Sequence, residues 1–101
     1  MDTINKLPFD FILKKNGENE VLQTTIDRNN YLIDFTSDDQ SKLREFFLVV
    51  LGKMEKENKL IEFNYDKASD FNNELFETVA KEYVVGLNSE LKLIFEKMNE
   101  I

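Results

Sequence analysis

The sequence predicts an α+β domain: an antiparallel meander of three or four strands packed against two or three helices, in the order β-β-β-α-β-α. Three observations carry that expectation. Apolar and polar residues alternate through the first third of the chain, two later segments place apolar residues at helical spacing, and a short stretch between them returns to alternation. At 101 residues the chain is expected to form a single domain, 1–101, and to bury roughly two thirds of the surface its unfolded form exposes.

In the first strand Phe9, Phe11 and Leu13 alternate with Asp10, Ile12 and Lys14, and Asn16-Gly17 supplies the positive φ angles of a tight hairpin. Val21 to Ile26, with Thr24 and Thr25, reads as the second strand. Asp27 to Asn30 then forms a turn, and Tyr31, Ile33 and Phe35 mark the third strand. Ser37 followed by Gln40 matches a capping box and places the start of a helix there. Its apolar face is Leu43, Phe46, Phe47, Val50, Leu51 and Met54, and the pattern fades at Asn58. Leu48 and Val49 widen the apolar sector, as expected of a helix buried on two sides or partly exposed to a partner.

Leu60 to Tyr65 alternates again and reads as a fourth strand. From about Ser69 to Met98 the apolar positions Phe71, Leu75, Val79, Tyr83, Leu87, Leu91, Ile94 and Met98 recur in steps of three or four. One helix of that span is roughly 45 Å long, longer than a compact domain of this size is expected to be wide. The alternatives are a break near Gly86, with Asn88 or Ser89 capping a second piece, or an end that projects and packs on a second chain.

The composition, 42% apolar and 33% charged with one Pro and three Gly, is that of a globular domain rather than a disordered tail. Aromatic side chains bury roughly 150–250 Å² each, so Phe9, Phe11, Phe35, Phe46, Phe47, Phe63, Phe71, Phe76 and Phe95 are the expected anchors of the core. The lack of Cys fits a reducing compartment, no apolar run suffices to span a bilayer, and residues 1–8 lack the plan of a secretory signal. A cytoplasmic address is expected.

The chain contains no His and no Cys, which removes imidazole bases, thiolate nucleophiles and ordinary zinc sites. Carboxylate chemistry would need two acids converging with separated pKa values. The adjacent Asp38-Asp39 pair is better read as favourable charge in the first turn of the expected helix. The chain contains no calcium-loop pattern and no glycine-rich phosphate cradle, so no cofactor and no metal are expected, and the chain is expected not to be an enzyme.

The formal net charge of -7 argues against direct binding to nucleic acid or to an anionic membrane. Lys14 and Lys15 read as a solubilising strand end. From Glu62 to Ile101 nine acids face four Lys, a balance of -5, whereas Ser37 to Lys59 balances at zero. Within the acidic region Asp66, Asp70, Glu74 and Glu77 are expected to form a row along one helix, with a spacing comparable to that of phosphates on a nucleic-acid strand. The same residues also suit the solvated face of an amphipathic helix. The expected function is a small, acidic, non-enzymatic protein-binding domain, a stoichiometric inhibitor of immunity or anti-defence type, acting on a basic nucleic-acid-processing protein through those four carboxylates. The alternative is a structural or adaptor subunit that self-associates through its C-terminal helix.

Overall fold

The computed structural model describes residues 5–100. Four strands, β1 (Lys6–Asn16), β2 (Asn19–Ile26), β3 (Asn29–Ile33) and β4 (Leu60–Lys67), combine with two helices, α1 (Ser41–Glu57) and α2 (Glu74–Met98). The strands form one sheet in the order β3-β2-β1-β4. β1 is antiparallel to β2, with Ile12 opposite Gln23, and parallel to β4, with Phe9 opposite Phe63. The sheet is therefore mixed, which corrects the expectation of a purely antiparallel meander. Hairpins need only two-residue turns, but a parallel neighbour requires a long crossover, and α1 provides it by carrying the chain from β3 at one edge to β4 at the other.

Both hairpins use the turns that match strand twist. Gly17 has φ +68° and is followed by Glu18 with no positive φ, the type II′ arrangement, so the turn centres one residue later than Asn16-Gly17. Asp27 (φ 52°) and Arg28 (φ 70°) form a type I′ turn, and β3 consequently begins at Asn29 rather than Tyr31. The Asp27 carboxylate accepts a hydrogen bond from Lys53 Nζ at 2.7 Å, which ties this turn to α1.

Alternation sends one face of every strand into the core. Phe11 and Leu13, Leu22 and Ile26, Ile33, and Ile61 and Phe63 are buried there, with Leu7, Phe9, Tyr31 and Tyr65 packed at the margins. Helical residues of α1 (Phe46, Val50, Met54) and α2 (Ala80, Val84, Leu87, Leu91, Phe95) join the same cluster, so both helices cover one face of the sheet. On the other face Ile12 and Leu32 are 41% and 43% exposed. At the centre Phe11 stacks on Phe63 with ring centroids 4.4 Å apart, and Phe46 lies 5.7 Å from Phe11 and 5.8 Å from Phe63. Of the expected aromatic anchors, Phe11, Phe46, Phe63, Phe71 and Phe95 are buried, while Phe9, Phe35, Phe47 and Phe76 are partly buried against them.

The helix boundaries differ from those expected. α1 begins at Ser41, and no side chain caps it through Gln40. Ser37 Oγ instead accepts from the Asp39 amide, and Asp39 Oδ1 accepts from the Ser41 amide and hydroxyl, a chain of local turns that competes with helix. Asp38 and Asp39 thus precede the helix rather than sit in its first turn. Asn58, in the left-handed conformation, ends α1.

α2 starts at Glu74, where Asn73 Oδ1 accepts from the Phe76 amide, and it runs unbroken through Gly86 to Met98. The shorter helix is about 37 Å long, within the 46 Å long axis of the molecule, so no break is required.

β4 is an edge strand, and α2 seals it. In a parallel ladder alternate residues turn their backbone groups to the neighbour, as Leu60 and Ala68 do in donating to the Asn5 and Leu13 carbonyls. Phe63 has the opposite parity. Its amide donates to Asn88 Oδ1, and its carbonyl accepts from Asn88 Nδ2, both at 2.8 Å. The side-chain amide of Asn88 thus serves as a one-residue substitute for a further strand. Replacing Asn88 by Ala should leave both Phe63 groups without partners and cost about 1–3 kcal/mol in urea unfolding. A loss below about 0.5 kcal/mol, the scatter of ordinary surface substitutions, would contradict that role.

Candidate functional site

The carboxylates expected to form a helical row occupy three kinds of local structure. Asp66 is near the end of β4, Asp70 is in the following loop, and Glu74 and Glu77 lie in the first turn of α2. The helical row is therefore corrected. β4 continues past Tyr65 because Asp66 and Lys67 still pair with Ile12 and Leu13 of β1, and the helix starts where Asn73 provides a cap.

The four residues also differ in availability. Asp66, Asp70 and Glu74 are exposed, while Glu77 is half-buried and forms an ion pair with Lys67. That contact, chiefly its hydrogen bond, raises the Lys67 ammonium above its ordinary pKa. Asp66 Oδ1 accepts from the Lys67 amide at 2.8 Å. Asp70 shares a small cleft with Lys15, Phe71, Asn72 and Asn73. Phe71, which fits the helical stripe by its spacing, is instead an anchor of this loop and is buried. The arrangement is a cluster of exposed acids at the β4–α2 junction, with Glu77 paired to Lys67 and Lys15 in the same cleft as Asp70.

Chemically the cluster offers negative charge and hydrogen-bond acceptors. Among the described residues no group of three or more Asp or Glu side chains is placed to hold a metal ion. No described helix is long and apolar enough to cross a membrane.

A second surface, which the sequence reading did not single out, runs between the two helices. Leu43, Phe47 and Leu48 of α1 face Tyr83, Gly86 and Leu87 of α2 across a groove of about 640 Å³. Arg44 stands on the α1 wall and Glu90 on the α2 wall. Tyr83 packs against Phe35 with centroids 5.8 Å apart. Burial raises the Tyr83 phenol above its ordinary pKa, and the Glu90 charge adds to the shift.

Two signals for this groove were in the chain. Leu48, which widened the apolar sector of α1, is 67% exposed, so α1 is not covered on that side. On α2, each four-residue step advances about 40° around the axis. The stripe that starts at Leu75 and Val79 therefore begins on the outer flank and reaches the core only at Leu87 and Leu91. Leu75 is 73% exposed and Leu91 fully buried.

Comparison with protein-family models, with curated proteins and with solved structures yields no match to this chain.

Tyr83 gives a pH signature. The folded state retains the phenol proton above about pH 10, where the unfolded chain releases it. The stability linked to Tyr83 is complete below that pH and is lost as pH rises through the raised folded value. Urea midpoints followed from pH 8 to about pH 11.5 should fall less steeply for Tyr83→Phe than for the native chain. Equal slopes would contradict the burial of this phenol.

Proposed function

We propose that this chain is a small, acidic, non-enzymatic domain of the cytoplasm that binds a basic protein stoichiometrically. Its class is that of an immunity or anti-defence inhibitor directed at a nucleic-acid-processing protein. The contact residues are Asp66, Asp70 and Glu74, while Glu77 is held in an ion pair with Lys67. The observation that carries this reading is the exposure of those three carboxylates at one junction, within a region whose charge balance is -5. A negative surface of this kind accelerates encounter with a basic groove and aligns the partner before short-range contacts form.

The mimicry is of charge rather than of phosphate spacing, since the acids do not lie along one helix. Glu74 also opposes the positive end of the α2 dipole, so part of its charge serves the helix.

A second reading, a structural or adaptor subunit that assembles through its helical layer, is favoured by the apolar groove between α1 and α2. The C-terminal helix would take part through its outer flank, because Leu91 is fully buried in the core.

The test of the first reading is a pull-down with tagged protein at low and high salt, with bound proteins identified by mass spectrometry. A basic nucleic-acid-processing protein should be retained at low salt and released as screening shortens to about 8 Å near 0.15 M ionic strength and below. Asp70→Lys combined with Glu74→Lys should weaken its binding at least about tenfold, as expected when like charges are set against a basic surface, while circular dichroism stays unchanged. Native affinity in the doubly reversed variant would exclude the acidic junction as the contact.

A further inference from the structure

We infer that the groove between α1 and α2 is a homodimer interface whose two-fold axis runs along the groove. The inference deepens the assembly reading and is independent of the acidic junction.

The first support is an apolar surface that no part of the described chain covers. Leu75, Val79, Tyr83, Gly86, Glu90 and Leu93 recur at steps of three or four along one flank of α2, and Leu75, Val79 and Leu93 are 73%, 39% and 61% exposed. On the facing wall Leu48 is 67% exposed. These exposed apolar residues share the flank of α2 that carries the groove-lining Tyr83, Gly86 and Glu90.

The second is Gly86. Glycine in a helix interior is a poorer helix former than alanine, and a Cβ at this position would meet nothing within 4 Å. Among the described residues no packing calls for glycine here. Its open side faces the groove, where the missing side chain allows an incoming surface to come close to the helix backbone.

The third is the placement of charge, which selects a second copy over other occupants. Arg44 and Glu90 stand on opposite walls, and neither has an ion-pair partner among the described residues. Rotation by a half turn about a line along the groove exchanges the walls. It sets α1 of one protomer over α2 of its partner and brings each Arg44 toward the other protomer's Glu90. Under that rotation the unlike charges of the two walls meet, as an isologous contact pairs residue i with residue j on both sides. Two pairs form at once, while Leu48 of each protomer meets the Gly86 region of the other. A foreign helix with an all-apolar face would leave both charges unmatched.

Sedimentation equilibrium of the full chain tests the inference. The native protein should sediment with the mass of two chains at high concentration and dissociate on dilution. Leu48→Asn, at an exposed position, should give a single-chain mass with an unchanged circular dichroism spectrum. Arg44→Glu and Glu90→Arg should each weaken the dimer about tenfold, the effect of losing two exposed ion pairs, and combining the two changes should restore it. A native chain that stays monomeric up to about 1 mM, the margin of specific association, would overturn the inference and leave the groove to a different occupant. A dimer that survives Leu48→Asn, or a double charge swap no tighter than either single change, would also overturn it. None of these outcomes bears on binding to a basic protein, which is read from Asp70 and Glu74.

Discussion

The position of α2 depends on how β4 is held. As the parallel edge strand it receives hydrogen bonds from β1 on one side only, and the backbone groups of Phe63 on its other side are met by Asn88. Those two bonds connect the middle of a long helix to the middle of the strand beneath it. Phe63 is also in stacking contact with Phe11 and near Phe46, so the same residue links the edge, the central strand and α1. Losing this attachment would expose a strand edge and loosen the aromatic centre together. Edge strands are a general hazard for unintended pairing, and here the hazard is met by one side-chain amide.

The attachment also determines which surfaces are left for contact. With α2 fastened over β4, its N-terminal turn presents Glu74 beside the end of the strand, where Asp66 and Asp70 are exposed. The same helix leaves its outer flank uncovered, because α1 approaches it across a groove instead of packing tightly along it. The two proposed contacts would respond oppositely to salt. Contact between exposed acids and a basic protein weakens as the charges are screened, whereas two chains of net charge -7 repel at long range and approach more readily when screened.

Strands were legible in the sequence because a half-buried strand alternates, and Phe9 to Lys14 and Leu60 to Tyr65 do so clearly. Alternation specifies which face a residue takes and says nothing of which strand lies beside it. The parallel pairing of β4 with β1 was therefore invisible, as was the continuation of β4 through Asp66 and Lys67, where no apolar residue marks the strand. Asn73 was a usable helix-start signal, but Phe71, two residues before it, fitted the helical spacing and drew the boundary too early. That shift, together with the unmarked continuation of β4 through Asp66, produced the apparent row of carboxylates. A break near Gly86 was one of two alternatives because glycine is a poor helix former, yet Gly86 lies inside a continuous helix. The groove remained hidden because apolar residues at helical spacing do not separate a core stripe from an adjacent exposed one; only the helix's neighbours do.

Amide hydrogen exchange measured residue by residue on the native chain tests the central claim most directly. Phe63, with its amide bonded to Asn88, should be protected to a degree comparable with amides of the central strand β1. Leu32, on the uncovered β3 edge, turns its amide away from β2 by the alternation of the antiparallel ladder and should exchange near the unfolded rate. If Phe63 exchanges as fast as Leu32, α2 does not seal β4, and the account of both contact surfaces loses its foundation.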